Sequence, residues 1–215
     1  MHTIALHNAL PQVFAGNPDA HASEVWRTDV AFEKGQNYLV VAESGTGKSS
    51  LCSFIYGYRT DFLGKITFDS TDIAAQRVAW WCTVRSRHIA YLPQELRLFP
   101  ELTAKENVLL KNSLTGFKSP QQINGLFEQL GIADKMDSLV AKMSIGQQQR
   151  VAIIRTLCQP CDFMLLDEPV SHLDDANNLL VARLVMDEAK AQGAAVIATS
   201  VGNNLKLDNA KMLML

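Results

Sequence analysis

The chain has 215 residues, of which 47% are hydrophobic and 20% are charged, and this length and composition suit one soluble α/β domain. A formal charge of −2 and a pI near 6.2 give no electrostatic basis for binding nucleic acid or an anionic bilayer. No apolar run approaches the roughly 18 residues of a membrane-spanning helix, and the N-terminal sequence lacks the regions of a signal peptide. We therefore expect a cytoplasmic protein.

Strands and helices are predicted from apolar runs and from the Gly and Pro residues between them. The predicted strands are Thr3 to Asn8, Val25 to Phe32, Tyr38 to Ala42, Lys65 to Phe68, His88 to Leu92, Phe163 to Leu166 and Ala195 to Thr199. The predicted helices are Lys48 to Tyr58, Thr103 to Lys111, Pro120 to Leu130, Ile145 to Cys158 and Asp175 to Gln192. The last four strands are short and apolar, which suits burial in a sheet. The segment from about Glu95 to Lys142 is helical, which favours an insertion between parts of one sheet.

A glycine-rich turn follows the strand Tyr38 to Ala42 and precedes an apolar helix, which is the arrangement of a phosphate-binding P-loop. The turn consists of Ala42, Glu43, Ser44, Gly45, Thr46, Gly47, Lys48 and Ser49, with Ala42 in place of the first glycine of the pattern. Glycines let backbone N–H groups converge on phosphate oxygens at a helix N-terminus. Lys48 is then expected to meet the β and γ phosphates, Ser49 to bind Mg²⁺, and Ser50 to add a phosphate contact.

Two carboxylates follow the apolar strand that begins at Phe163. Asp167 is suited to hold Mg²⁺ through water, and Glu168 to activate a water molecule. The P-loop pattern occurs by chance in on the order of one chain in a hundred, so it is specific but not decisive alone, and two acidic residues after a buried strand are common. Together they predict a nucleotide hydrolase that uses ATP and Mg²⁺.

A CxxC pair, Cys158 and Cys161, has the spacing of redox and zinc sites. A zinc site needs two further ligands at close spacing, and none follows. We interpret the pair as two incidental cysteines.

Between the P-loop and the two carboxylates lies the segment Met143-Ser-Ile-Gly-Gln-Gln-Gln-Arg-Val-Ala-Ile-Ile-Arg155. Here the sequence resembles the ATP-binding subunits of ABC transporters, whose signature reads LSGGQ followed by QRVAIARAL. Tyr91-Leu-Pro-Gln94 is similar to the Q-loop of the family, and Ser171-His-Leu-Asp174 is similar to its D-loop. The segment from Leu98 to Val108 is similar to the family sequence LFPxLTVxENV. The segment from Gly64 to Gln94 is most similar to the lipoprotein-release and macrolide-export types.

The resemblance implies a P-loop α/β core with an antiparallel β subdomain and an inserted helical subdomain, all in one ABC ATPase domain. It also implies a head-to-tail dimer, formed by two copies or with a second ABC ATPase, that holds two ATP molecules. The helical subdomain would dock onto a transmembrane permease, so that the chain would associate peripherally with the inner face of the membrane.

The resemblance also assigns nucleotide contacts outside the P-loop. Gln94 would contact Mg²⁺ or the attacking water. Ser144, as the N-cap of the helix from Ile145, would face the γ-phosphate of the partner's ATP together with Gly146 and Gln147, and Asp174 would contribute from the D-loop. Phe14 matches the aromatic residue that stacks on adenine. A core aromatic is the alternative for Phe14, and Trp26 is a weaker substitute for the stacking role.

Two positions depart from the family. Ile145 replaces the first glycine of the signature, where a branched side chain would crowd the facing nucleotide unless it points away. Ser200 stands where the family has the switch histidine that reaches the γ-phosphate, and a serine hydroxyl is shorter and never cationic. We therefore expect Ser200 to be a weaker catalytic group and hydrolysis to be slow.

Three functions compete at this point. The first is the ATPase subunit of a transporter with a separate permease. The second is an ATP-dependent regulatory switch on a membrane partner, without transport. The third is a soluble ABC ATPase acting on DNA or ribosomes, which the acidic charge balance and the lack of a basic insertion disfavour. We expect no nucleic-acid partner.

Overall fold

The chain forms two sheets, which a computed structural model describes for residues 1–16 and 23–215. The first sheet is antiparallel with the strand order β2-β1-β4-β5, and the second is parallel with the order β6-β7-β8-β3-β9. The strands are β1 (Thr3–Pro11), β2 (Asp29–Glu33), β3 (Asn37–Val41), β4 (Phe62–Phe68), β5 (Thr71–Asp72), β6 (Ile89–Leu92), β7 (Phe163–Asp167), β8 (Ala195–Ser200) and β9 (Lys211–Met214). The predicted antiparallel subdomain, formed largely by N-terminal strands, is confirmed.

Six helices connect these strands in the described part of the chain. They are α1 (Lys48–Ile55), α2 (Val78–Arg87), α3 (Ala104–Asn112), α4 (Pro120–Gln129), α5 (Ile145–Leu157) and α6 (Asp175–Gln192). Helices α3, α4 and α5 begin with a capping box, in which Thr103, Ser119 and Ser144 each accept a hydrogen bond from the backbone three residues on. Helix α6 ends at Gly193, whose φ of 60° is the left-handed conformation that glycine adopts without steric cost.

Apart from its edge strand β9, the parallel sheet is largely buried on both faces because its strands are mostly apolar. One face packs against α3, α4, α5 and α6 through alternate residues such as Leu39, Met164 and Val196. The other packs against the antiparallel sheet and α1 through Tyr38, Phe163 and Ile197. This alternation is the period of two that a strand imposes. The segment 95–142 shares the first of these cores, so its separation as a subdomain stays a prediction.

Several of the predicted elements need correction. The strand predicted from Val25 begins only at Asp29, since residues 25–28 form a turn. Helix α1 ends at Ile55 rather than Tyr58, and Arg85 from α2 donates to the carbonyl oxygens of Tyr56 and Gly57. The sequence prediction missed α2 and β9 entirely. The stretch from Ala15 to Glu24, between Phe14 and Trp26, lies largely outside the described residues.

Candidate functional site

The predicted P-loop, Q-loop and acidic residues come together at one edge of the parallel sheet. β3 leads into the P-loop, β6 into Gln94, and β7 ends at Asp167. These strands are parallel, so their carboxyl ends all lie at this edge. In an open parallel sheet, this is the edge at which ligands bind.

The P-loop turns tightly into α1 through two glycines in the left-handed conformation. Gly45 has a φ of 87° and Gly47 a φ of 101°. The Lys48 ammonium is buried and donates hydrogen bonds to the carbonyl oxygens of Ala42 (3.4 Å) and Glu43 (2.7 Å). Burial lowers the pKa of Lys48, and the nearby carboxylates of Glu168 and Asp167 act in the opposite direction. The lysine thus lies between the P-loop backbone and the acidic pair.

Oxygen donors from three elements surround the start of α1. The Ser49 hydroxyl donates to Oε1 of Gln94 at 3.5 Å, and Ser49 also lies near enough to the Asp167 carboxylate to act on its pKa. Asp167 is only 2% exposed, and burial raises its pKa, although hydrogen bonds from Thr199 and Ser49 oppose this shift. The predicted metal ligands Ser49, Gln94 and Asp167 are therefore neighbours.

Thr199 is a residue of this site that the sequence analysis missed. Its hydroxyl donates to Oδ1 of Asp167 at 2.6 Å, and both groups are buried. The backbone N–H of Glu168 points to the Thr199 hydroxyl (3.3 Å) and carbonyl (3.2 Å). The only sequence signal was its place next to the switch position in an apolar strand. Its contact with Asp167 follows from the parallel register of β7 and β8.

Glu168 directly follows β7 and is half-buried, with its backbone at a φ of 50°. This left-handed conformation is uncommon for a residue other than glycine and often marks a functional position. The chain then turns through residues 169–173 into α6, whose N-cap is Asp174. The Asp174 carboxylate accepts hydrogen bonds from the backbone (2.8 Å) and side chain (2.9 Å) of Asn177, which lower its pKa.

The signature residues lie at the start of α5. The Ser144 hydroxyl accepts a hydrogen bond from the Gln147 backbone at 3.3 Å, and the Gln147 side chain accepts one from the Ser144 backbone at 3.0 Å. A Cβ at Gly146 would lie 3.2 Å from the carbonyl oxygen of His172, so glycine permits the close approach of α5 to the D-loop. Ile145 is 50% exposed, so its side chain is not folded into the core.

The Ser200 hydroxyl has a partner within its own loop. Ser200 is 2% exposed, and its Oγ donates to the carbonyl oxygen of Asn203 at 2.9 Å. The Asn203 side chain in turn donates to the carbonyl oxygens of Val170 (2.9 Å) and Leu173 (3.3 Å). The structure therefore gives Ser200 a loop-closing contact, and its catalytic role stays a prediction.

Phe14 and Trp26 both lie against the P-loop. A Cβ at Gly47 would lie 3.0 Å from Cε2 of Phe14 and 3.2 Å from Nε1 of Trp26. Trp26 is buried, and its indole N–H donates to the carbonyl oxygen of Thr46 at 3.0 Å. Phe14 is half-buried and therefore the more accessible of the two rings. Ser50, in the first turn of α1, accepts a hydrogen bond from Arg59 at 3.0 Å.

Cys158 and Cys161 are buried free thiols. Burial raises the pKa of each to about 12, which keeps both protonated and unreactive. No group of three or more His, Cys, Asp or Glu side chains with metal-binding geometry occurs in residues 1–16 and 23–215. Among the helices of these same residues, none has the length and hydropathy needed to cross a bilayer.

The sequence matches a known protein family and several of its members. The sequence profile of the ABC transporter family matches residues 26–171, more than half of the chain. YbbA, an uncharacterized ABC transporter ATP-binding protein of Escherichia coli, is 30% identical over 85% of this chain and 81% of its own length. The lipoprotein-releasing system ATP-binding protein LolD of Legionella pneumophila is 30% identical over 79% of this chain and 76% of its own length.

Solved structures share the fold. A dimeric structure of MJ0796, described as a bacterial ABC transporter cassette, matches with a TM-score of 0.76 and 22% identity over 91% of this chain and 87% of MJ0796. A second MJ0796 dimer, in a post-hydrolysis state bound to ADP and Pi, matches with a TM-score of 0.74 and 22% identity over 93% of this chain and 88% of that one. On its P-loop core, its signature segment and these matches, the chain belongs to the ABC transporter family, as one of its ATP-binding proteins.

Proposed function

We propose that this chain is the ATP-hydrolysing subunit of a membrane transporter and powers a separate permease by ATP-driven dimerisation. The observation that carries the proposal is the convergence of Ser49, Gln94 and Asp167 beside Lys48 and Glu168. A P-loop with a buried lysine could be explained by nucleotide binding alone, without hydrolysis. A second carboxylate, half-buried next to the first, adds a group that can orient and deprotonate a water.

The donor set fits Mg²⁺. A hydroxyl, an amide oxygen and a carboxylate are hard oxygen ligands, and Mg²⁺ prefers these in sites that it shares with substrate phosphates. Ser49, Gln94 and Asp167 would hold the ion. When bound, Mg²⁺ neutralises charge on the β and γ phosphates.

The remaining groups of the site act on the substrate and the water. The ammonium of Lys48 lies within reach of the P-loop carbonyls, and we infer that it exchanges these partners for the β and γ phosphate oxygens. Backbone N–H groups of the turn between Gly45 and Lys48 bind phosphate at the N-terminus of α1. The carboxylate of Glu168 accepts a proton from the attacking water.

Dimerisation would complete each site with the signature of the other subunit. In one chain, no hydrogen bond of the described residues joins Ser144, Gly146 or Gln147 to the P-loop. The exposed start of α5 is therefore available to a second ATPase, either a copy of this chain or a different ABC subunit. Asp174, at the exposed end of the D-loop, directly follows Leu173, whose side chain lies next to Gly146.

A surface next to the Q-loop suits a permease. A groove of about 270 Å³ lies between the core and α3, and Pro93, the neighbour of Gln94, lines it. Three large apolar side chains remain exposed at its rim, namely Phe99 at 53%, Leu110 at 48% and Leu114 at 64%. Because the groove adjoins Gln94, a permease segment bound there could respond to the nucleotide. Through it the chain would associate with the inner face of the membrane.

The test is Mg²⁺-dependent ATP hydrolysis by the purified chain, alone and together with a multi-span membrane protein that co-purifies with it. Lys48→Ala should abolish hydrolysis and weaken ATP binding, because the P-loop amides alone leave the phosphate charge under-neutralised. Leu114→Asp should reduce binding to the permease and leave the basal ATPase rate intact. Leu179→Asp, on the exposed face of α6, is the matched control. Unchanged turnover in Lys48→Ala would exclude ATP hydrolysis at this P-loop.

A regulatory switch without transport is the second candidate, and the contact between Ser200 and Asn203 favours it. This contact occupies the hydroxyl at the switch position and leaves it without a free donor for the γ-phosphate. Transport of solute in vesicles reconstituted with the permease distinguishes the two functions. ATP-dependent dimerisation without solute movement would support the switch.

A further inference from the structure

Both backbone polar groups of Glu168, the N–H and the carbonyl oxygen, are hydrogen-bonded. Its N–H is bonded to Thr199, and its carbonyl oxygen accepts a hydrogen bond from Nε2 of Gln149 at 3.2 Å. A non-glycine residue with a φ of 50° persists only where its surroundings impose that conformation. The polar contacts that impose it are these bonds together with one that the carbonyl oxygen accepts from the backbone N–H of Ser171 at 3.4 Å.

Gln149 lies in α5, the helix that begins with the signature, and only 1% of it is exposed. Its side-chain amide contacts three groups of the segment that follows β7. Besides the Glu168 carbonyl, Nε2 lies 3.4 Å from the hydroxyl of Ser171, and Oε1 accepts a hydrogen bond from the backbone N–H of His172 at 3.1 Å. One buried amide therefore connects α5, Glu168 and the D-loop.

A buried amide with all of its bonding directed at one loop is costly to leave unsatisfied, so these contacts fix the loop to the helix. The helix also lacks a side chain where the loop comes nearest, at Gly146. Any shift of α5 that follows contact of the signature with nucleotide would be carried directly to Glu168.

We infer that Gln149 is a positioning residue for hydrolysis, which holds Glu168 in its left-handed conformation and ties it to the signature helix and the D-loop. The inference rests on the proposed ATPase function. Gln149 does not touch substrate in this arrangement. It acts on the direction in which the Glu168 carboxylate points.

The variants are Gln149→Met, which keeps the length of the side chain and removes the amide, and Gln149→Asn, which keeps an amide that is one methylene too short. The matched control is Gln159→Met. Gln159 is also a glutamine that is 1% exposed, and its amide donates to the carbonyl oxygen of Ile89 at 3.0 Å, at the opposite end of β7 from Glu168. It therefore tests what the loss of a buried amide does by itself.

The first readout is steady-state kinetics with thermal unfolding. Gln149→Met should lower kcat on the order of 10- to 100-fold, as misplacement of a reacting group does, with ATP affinity changed by less than about threefold. Gln159→Met should unfold at a lower temperature and keep its kcat. Equal losses of kcat in the two variants would reduce Gln149 to a structural role and overturn the inference. If Gln149→Met does not fold, Gln149→Asn takes its place.

The second readout is a double-mutant cycle with Glu168→Gln. With the carboxylate gone, removal of the Gln149 amide should lower the residual single-turnover rate by less than about threefold. The same fold-loss in both backgrounds would mean that Gln149 acts by another route. Hydrogen exchange of the peptide that spans residues 167–173 should be faster in Gln149→Met even without ATP. Lack of ATPase activity in the wild-type chain would overturn the proposed function. Unaltered hydrogen exchange of residues 167–173 in Gln149→Met would instead overturn the positioning role of Gln149.

Discussion

Replacement of Thr199 by Val tests how strongly the Asp167 carboxylate depends on its one buried donor from β8. Valine has the shape of threonine, so the change removes the hydroxyl without opening a cavity. The lost hydrogen bond is 2.6 Å long and joins a hydroxyl to a carboxylate that is 2% exposed. Hydrogen bonds to charged groups contribute about 1.5–3 kcal/mol, so Thr199→Val should lower the free energy of unfolding by about 2 kcal/mol.

The assay is urea unfolding near neutral pH and again near pH 4, with Thr199→Ser as the control. Serine keeps the hydroxyl and loses one methyl group, which costs about 1 kcal/mol. The pKa of Asp167 is raised by burial, so ionisation of this group costs native stability as pH rises above its unfolded pKa. Loss of the Thr199 hydroxyl removes a bond that favours the carboxylate, so the deficit of Thr199→Val should be larger near neutral pH than near pH 4.

A loss in Thr199→Ser that equals or exceeds the loss in Thr199→Val would refute the argument. So would a deficit of Thr199→Val that does not change with pH. The first outcome would make packing the larger effect, and the second would mean that the hydroxyl does not act on an ionised Asp167.

Glu168→Gln should bind ATP, lose most hydrolysis and accumulate as an ATP-bound dimer, because an amide cannot accept the proton of the attacking water. Size-exclusion chromatography with ATP measures the dimer, and a variant that stays monomeric would count against it. Glu188→Ala should lower the free energy of unfolding by about 3 kcal/mol, because it leaves Lys118 as an unpaired buried cation; the pair is 2.6 Å apart with side chains 9% and 16% exposed. Asp187→Ala, on the exposed side of the same helix, is its control in urea unfolding, and equal losses would contradict the ion-pair explanation. Ser200→Ala should keep its turnover, and Ser200→His should raise it, as measured by kcat at saturating ATP.

The P-loop and the acidic strand could be predicted because their signals are local. A glycine-rich turn needs particular residues at particular positions. The apolar strand followed by Asp167 and Glu168 is likewise recognisable within about five or six consecutive residues. The capped starts of α3, α4 and α5 were predictable for the same reason. In each, a Ser or Thr N-cap bonds the residue three positions later.

Helix α2 and strand β9 were missed because tertiary contacts decide them. In α2 only Val84 is buried, so the helix carries no apolar stripe, and Arg85 anchors it through the carbonyl oxygens of Tyr56 and Gly57. In β9 the side chains of Met212 and Met214 are exposed, which is the reverse of a buried strand. Its position comes from parallel pairing with β3, which only the folded chain provides.

The same distinction divides the site residues. Gln149 lies within the signature segment and Thr199 beside the switch position, but neither pattern assigns the residue its contact, and each acts through a partner more than 15 residues away in sequence. Thr199 reaches Asp167 because β7 and β8 lie in register, and Gln149 reaches Glu168 because α5 packs close to the D-loop at Gly146. A sequence pattern names the groups that touch substrate. The residues that hold them in place emerge from the packing.

Ser200 is the residue for which motif and packing lead to different expectations. The motif predicts a short hydroxyl acting on the γ-phosphate. In the structure this hydroxyl donates to Asn203, whose side chain is bonded to the carbonyl oxygens of Val170 and Leu173, so the turn is closed over it. Ser200→Ala then removes one hydrogen bond, which lowers the free energy of unfolding by about 1 kcal/mol and leaves hydrolysis unchanged.

Ser200→His must place a ring where the side chain is only 2% exposed, at a cost of about 1–3 kcal/mol in the free energy of unfolding. If the missing histidine limits the chemistry, the variant should still raise kcat with ATP affinity nearly unchanged, as expected for a contact made mainly in the transition state. A fall in kcat of more than about threefold in Ser200→Ala would show that the hydroxyl acts in catalysis rather than only closing the loop. A folded Ser200→His protein with no gain in kcat would mean that this site works without a cation at the switch position, and the expected handicap would be wrong.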